Sequence, residues 1–511
     1  TISLVGNDII NNTIASTGLF IGITNTTGGT ISSLSINNNV ISNNTKNINA
    51  GTHNIINTSG VAGANMTVNG NIITDNTFNT TIAAGNIILN AINGGTSTYT
   101  YDGDIVSNIS IAGLAGNATT TFRGIANVSG ATNETISNNQ VSRMFVTGTT
   151  TGIATIIGII SNAGAASVKN IFNNRVDTLY SGSAVNSNIT GIQSTTGATI
   201  GIYRNKIGHL VGGGSNTANI VRGIHLSSTA AGGTANIHNN MVNIDMAQAF
   251  APSANNVLTG ANAVRGISNE SGTSGTINIY YNTVRINGGG SGTAFGSSAM
   301  SNTSTSNNVS FINNIFVNLA NPGGGAGSVS AALRRGSAAL ATYISTSNNN
   351  NLYAGTPGAT RVLYYDGATG YQTLAAMAGI AGFNPRENAS VSVNPVFVSN
   401  TDLHLNPAAN CDLDGAGKPI AGIEYQNDID GDIRDTNAPD IGADEHTGTG
   451  GSGVWKGYNT DWNDPINWCG VVPTASTNVV IPSGKTNYPL ITLNNALCNN
   501  ITISGGASVL L

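Results

Sequence analysis

Residues 171–176, Ile171-Phe172-Asn173-Asn174-Arg175-Val176, carry the pattern that decides the fold: an aliphatic or aromatic residue, two variable ones, Asn, one variable, then Ile or Val. The same six-residue pattern recurs with its Asn position at Asn7, Asn39, Asn71, Asp104, Asn139, Asn174, Asn205, Asn240, Asn282 and Asn314. The intervals are 32, 32, 33, 35, 35, 31, 35, 42 and 32 residues. A second marker, Gly followed by Ile, falls between successive Asn positions at Gly124, Gly158, Gly191, Gly223 and Gly266. Two markers kept in phase over many units define a repeat.

The composition says what kind of repeat. The 511 residues include 66 Gly and 75 Asn but only 18 Lys+Arg and 23 Asp+Glu, 8% charged against a usual figure of about 25%. Helical repeats need amphipathic helices, and Gly, Asn, Thr and Ser disfavour helix interiors. Short β-branched segments between Gly, Asn and Ser turns instead predict an all-β chain, a right-handed parallel β-helix with one coil per unit of about 33 residues. Inward Ile, Val, Leu and Phe should form columns along the axis. The recurring Asn should occupy a corner in the left-handed or bridge region, its carboxamide stacking as a ladder that Asp104 interrupts without changing its geometry. Ten coils and some later turns predict a rod of roughly 50 to 60 Å. The longest unit carries AQAFAPSANNVLTGAN (247–262), expected to protrude because a solenoid takes insertions only at its turns.

Several function classes drop out. Nucleic-acid binding needs clustered Lys and Arg, and a net charge of -5 without a basic run supplies none. No apolar run reaches the 18 residues of a membrane-spanning helix. Thr1 opens the chain without a signal peptide, and an apolar run, Val509-Leu510-Leu511, closes it, so the expectation is a segment of a longer chain. Of the three cysteines, Cys469 and Cys498 are the expected pair, with Cys411 apart.

From about Asn314 the repeat loosens into STSNNNNLYAG (345–355), YYDGATGYQTLAAMAGI (364–380), VSVNPVFVS (391–399), DLHLNPAANCDLDGAG (402–417) and NDIDGDIRDTNAPDIGADE (427–445). This ordered series resembles the end of the right-handed parallel β-helix exoproteins of Bacteroidota, often labelled choice-of-anchor or β-helix repeat proteins. It departs from them at Asn394, where the family more often has Asp before Pro. The resemblance implies coils over residues 1–383, terminal coils and cap over 384–447, a linker over 448–453, and over 454–511 the start of a second β-rich module. It further implies an extracellular or bacterial cell-surface location, export by the type IX pathway, a role in adhesion or gliding, and a packing role for His404. Trp455, Trp462 and Trp468 all fall in the last segment and are expected in a core or cap rather than on a sugar-binding platform.

Candidate chemistry is sparse. Asp428, Asp430, Asp432 and Asp435 alternate around Gly431 and can wrap Ca²⁺, although the loop lacks the full EF-hand spacing; the competing account is an Asp432–Arg434 ion pair with turn caps. A polysaccharide lyase or glycosidase would need a general base or two carboxylates about 5 to 10 Å apart. Asp102 and Asp104, with Arg123 in the following unit, are the closest approach to one, against a bland reading as ladder and turn residues. Arg123, Arg222 and Arg265 precede the Gly-Ile marker and could form a stripe for anionic glycans, but they read as lying in non-consecutive coils. The six histidines occur singly, without metal-pair spacing. The leading expectation is a non-catalytic structural or adhesive β-solenoid segment, with an extracellular surface or glycan as partner, no catalytic residue, and calcium as the one conceivable cofactor. A polysaccharide-active or carbohydrate-binding β-helix is the alternative.

Overall fold

The computed structural model describes residues 2–15, 21–25, 32–48, 51–58, 65–80, 86–92, 98–114, 119–128, 130–148, 152–182, 186–246, 258–290, 292–407, 409–446, 453–469, 471–492 and 496–511. They form a parallel β-solenoid of about nine turns. Three sheets run its length. Sheet 1 starts at Ile2–Val5 and ends at Asn307–Ile312; sheet 2 runs from Asp8–Ile10 to Asn351–Tyr353; sheet 3 runs from Ile21–Asn25 to Arg361–Tyr365, where Gly370–Tyr371 pairs antiparallel.

Each repeat residue stands over its equivalent, as the aliphatic columns require. In sheet 1, Tyr101, Ile136, Ile171, Ile202, Ile237, Ile279 and Phe311 are successive partners. Val106, Val141, Val176, Ile207, Val242, Val284, Phe316 and Leu352 form the matching column of sheet 2. Both columns are buried throughout in one continuous core. Burying one such side chain fully contributes about 1.5–3 kcal/mol, so the bore dominates the stability. The Gly marker has a steric cause. A Cβ at Gly158 would lie 2.6 Å from Val176 Cγ1 and 2.7 Å from the carbonyl oxygen of Gly191, so sheet 3 can approach sheet 2 only where that atom is missing.

The C-terminal end of the bore is plugged. Thr373 caps a short helix, Leu374–Ala378, and the helix buries Met377 beside Phe383, Tyr343 and Tyr364. Beyond it the structure departs from the expectation of terminal coils over 384–447. Val391 still pairs with Asn351, but residues 391–446 then fold back along the outside of sheet 2 as a strap. Asn349 Nδ2 donates to Ala416 O, Asn313 Nδ2 to Lys418 O, Asn239 Nδ2 to Asn427 O and Asn243 Nδ2 to Asn400 O, all at 2.7–2.9 Å. The strap covers outward Ile315 and Val317 with Leu405, Leu413 and Ile441, and Met241 with Leu403 and Ile429. The strands Met241–Asp245 and Ile315–Asn318 are therefore buried on both faces. Eleven strands stack along sheet 2, ten steps of about 4.8 Å, so the rod is roughly 48 Å long, just under the expected range.

Residues 454–511 hold their own core. Trp455, Trp462 and Trp468 are buried in edge-to-face contact, with ring centroids 5.0 and 4.7 Å apart, over the parallel strands Asn478–Ile481 and Asn500–Ile503. Residues 447–452, which include most of the expected linker 448–453, and residues 247–257 of the stretch expected to protrude lie outside the described residues. The expected Cys469–Cys498 bridge is corrected: Cys469 is bonded to Cys411 of the strap, Cα–Cα 5.3 Å, and Cys498 is a free thiol. Lys456 Nζ donating to Asp414 O (2.6 Å) and Lys485 paired with Asp412 (3.2 Å) bring the same two surfaces together.

Candidate functional site

The ladder is present at all ten sequence positions. Each Asn Oδ1 accepts the backbone N–H and the side-chain Nδ2 of its predecessor; Asn174, for example, donates to Asn205 Oδ1 by both groups at 3.0 Å. Its Nδ2 also reaches Ile136 O (2.8 Å) in the previous coil. Asp104 accepts from both donors of Asn71 at 2.8 Å while its own N–H reaches Asn139 Oδ1 (2.9 Å), so the geometry continues through the acid. One expectation is corrected. The residue before each ladder Asn, not the Asn itself, takes the left-handed conformation, as at Asn138 (φ 56), Asn173 (φ 54) and Arg204 (φ 54).

Two parts of this network escaped the sequence pattern. Asn350 extends the ladder by a rung, hidden because Ser347 replaces the leading aliphatic residue. A second, shorter ladder joins Asn12, Asn44 and Asn76 through Nδ2–Oδ1 bonds of 2.9 Å; its signal was an Asn five residues after Asn7, Asn39 and Asn71. From the fourth coil Ile109, Met144, Leu179 and Leu210 replace it, following Asn108, Arg143, Thr178 and His209 at positive φ.

The carboxylates weighed for catalysis stand apart. Asp104 is buried at the corner, Asp102 accepts from Ser137 Oγ and Asn138 Nδ2 at 2.7 Å each, and Arg123 belongs to sheet 3. Arg222 and Arg265, expected in non-consecutive coils, are direct neighbours across sheet 3. Both grip Glu270. Arg222 holds it by two bonds (2.8 and 3.0 Å), Arg265 by one, and His225 Nε2 lies 3.4 Å away. Burial would raise the Glu270 carboxyl, but the nearby His225 imidazole, the hydrogen bonds from Arg222 and the two guanidinium charges hold it far below the usual carboxylate range.

The bore itself contains two buried residues of opposite charge that the sequence pattern does not reveal. Glu134 and Lys169 are partners in adjacent sheet 1 strands, at the position that Leu34, Met66 and Ile200 fill elsewhere. Glu134 bonds Ser161 Oγ, and Lys169 Nζ donates to Ser161 O (3.3 Å) and Thr195 O (3.1 Å). Burial raises the Glu134 carboxyl, and it pushes the Lys169 amine down to about 8 despite the nearby carboxylate.

Asp428, Asp430, Asp432 and Asp435 are engaged separately. Asp428 is buried, its Oδ1 accepting the N–H groups of Asp430, Gly431 and Asp432 at 2.9 Å and its Oδ2 that of Glu445 at 3.0 Å. Asp435 accepts from the amides of Asn437 and Ala438. Asp432 is exposed, and Arg434 pairs with Glu445 (3.0 Å) rather than with Asp432 while stacking on the Tyr281 ring at 4.1 Å. Asp430 crosses instead to Lys206 of sheet 2 (2.9 Å) and to His404 Nε2 (2.6 Å). His404 Nδ1 bonds Asp402. The expected packing role of His404 thus becomes a polar one. Among the described residues, His404, Asp430 and Asp444 are the group whose ligand atoms converge.

This junction borders a cavity of about 330 Å³ between strap and sheet 2, lined by Arg175, Asp177, Lys206, His209, Asp402 and His404 among others. Asp177 pairs with His209 Nδ1 (2.8 Å) and Arg175 (2.6 Å). Burial opposes its ionisation, but hydrogen bonds from His209 and Thr178 outweigh it and keep the carboxyl well below its usual range. No protein-family model, curated protein or solved structure matches the chain.

Proposed function

We propose that this chain is a non-catalytic structural and adhesive segment of a large bacterial cell-surface or secreted protein. The observation that carries the reading is the continuous register of carboxamide ladder and aliphatic columns, which makes a stiff spacer with few charges. Fold does not fix function. The resemblance of residues 340–445 to Bacteroidota exoproteins supports surface display, export by the type IX route and a role in adhesion or gliding. A glycan or another extracellular surface is the partner this implies.

A second reading, a polysaccharide-active or glycan-binding solenoid, draws on one specific feature, the polar cavity where cationic Arg175 and Lys206 stand beside Asp177 and Asp402. One experiment separates the two. The purified chain is incubated with neutral and anionic polysaccharides, and both retention and new chain ends are measured. Retention without new reducing ends or unsaturated uronate is expected. Product release abolished by Asp177→Asn or Asp104→Ala overturns the non-catalytic reading.

A further inference from the structure

We propose that His404, Asp430 and Asp444 form a site for a zinc-class divalent cation that fastens the strap to itself and to the flank of the solenoid. The three residues come from separate passes of the strap, and one ligand atom from each lies within 4.8 Å of the others. Zinc takes imidazole nitrogen and carboxylate oxygen at about 2.0–2.2 Å, which sets its ligands roughly 3.3 Å apart, so small side-chain rotations close the set. A nitrogen ligand argues against Ca²⁺, which takes oxygen.

Two further observations point to an ion. The first is the Asp402 carboxylate on His404 Nδ1, which leaves Nε2 to Asp430. That carboxylate–histidine arrangement fixes the ring and its tautomer at metal centres. The second is Asp444, only 8% exposed, which receives the Leu405 N–H (2.8 Å) and, among the described residues, no hydrogen bond or ion pair from a cationic side chain, His404 and His446 acting on it only through their charge. Charge then balances. Asp402, Asp430 and Asp444 carry three negative charges, Lys206 on the outer oxygen of Asp430 carries one positive, and a divalent ion supplies the other two. On binding, the ion takes the place of the Nε2 proton, which leaves to solvent. The cavity lined by His404 and Asp402 lies beside the three residues, with space for a water in the fourth position.

The test uses the whole chain with Cys498→Ser, so that the free thiol cannot take the ion, stripped with EDTA and titrated with ZnCl₂ by calorimetry. One equivalent should bind. His404→Ala and Asp444→Asn should each weaken binding at least tenfold, and Asp402→Asn by about 10–100-fold. His209→Ala should leave it unchanged. Zinc should also slow proteolysis of residues 391–446 in the parent and not in His404→Ala, a readout that holds if one variant misfolds. Binding of equal strength in the parent and in a folded His404→Ala variant overturns the proposal, as does stoichiometry well below one or CaCl₂ displacing zinc at equal concentration.

Discussion

Asn350, the last rung of the long ladder, donates its carboxamide to both carboxylate oxygens of Glu387, at 3.2 and 2.9 Å. The same carboxylate takes Tyr343 OH (2.6 Å) and Ser390 Oγ, so three donors converge on one buried acid. Glu387→Gln turns an NH₂ toward these donors and should lower stability by about 1–3 kcal/mol in denaturant unfolding. An unchanged midpoint would show that the acid is replaceable as an acceptor.

Asp104 is the rung that cannot donate when ionised. Asp104→Asn restores a donor toward Asn139 Oδ1 and should stabilise the chain by about 0.5–1.5 kcal/mol. Asn205→Asp, three rungs on, removes the donors to Ile171 O, Tyr203 O and Asn240 Oδ1 and should do the reverse. Thermal melts of both variants read the two signs.

The bore pair Glu134 and Lys169 makes a pH prediction. Because burial holds the folded Lys169 amine at about 8 while the unfolded chain titrates near 10.5, the unfolded state binds the extra proton between these values. Stability should therefore rise from about pH 8 to 10.5. Lys169→Met alone strands the acid and should cost about 3–5 kcal/mol, whereas Glu134→Leu with Lys169→Met should be neutral or stabilising, with that rise gone. Denaturant unfolding across this pH range decides it.

Glu270 has the opposite sign. Its folded carboxyl titrates below its unfolded value of 4.5, so the stability it contributes is present above that value and is lost as pH falls through the folded one. Glu270→Gln should flatten the acid limb of the stability profile and leave Arg222 and Arg265 repelling each other. An acid limb identical to the parent's contradicts the assignment.

The thiol pattern is directly measurable. Alkylation of the unfolded, unreduced protein should label Cys498 alone, and peptide mapping should join the Cys411 and Cys469 peptides. A Cys469–Cys498 peptide would restore the pairing expected from sequence.

The coils were legible because every rung repeats the same local demand: Ile171 and Ile202 meet as neighbours and 31 residues apart in sequence. The left-handed corner was placed one residue late, since Asn173 and Asn174 are the same residue type and only backbone geometry tells cap from rung. Arg222 and Arg265 were misjudged because coils count by rungs rather than by residues, and an insertion separates them in sequence but not in space. The strap lacks periodicity. Its contacts, such as Asn239 with Asn427, join residues 188 apart with no repeat to relate them, and the Cys411–Cys469 bond depends on that fold-back. The His404 junction was invisible for the same reason, as Lys206 and Asp430 lie 224 residues apart.

From Asn39 to Asn350 every carboxamide oxygen of the long ladder accepts from the coil before it, while each NH₂ up to Asn314 also reaches the next rung. The small dipoles therefore add instead of cancelling, and the spine is electrically one-way, positive at its C-terminal tip. Glu387 sits at that tip as an anion sits at the start of an α-helix. Two such rods meeting end to end would distinguish head from tail before any side chain on their surfaces touched.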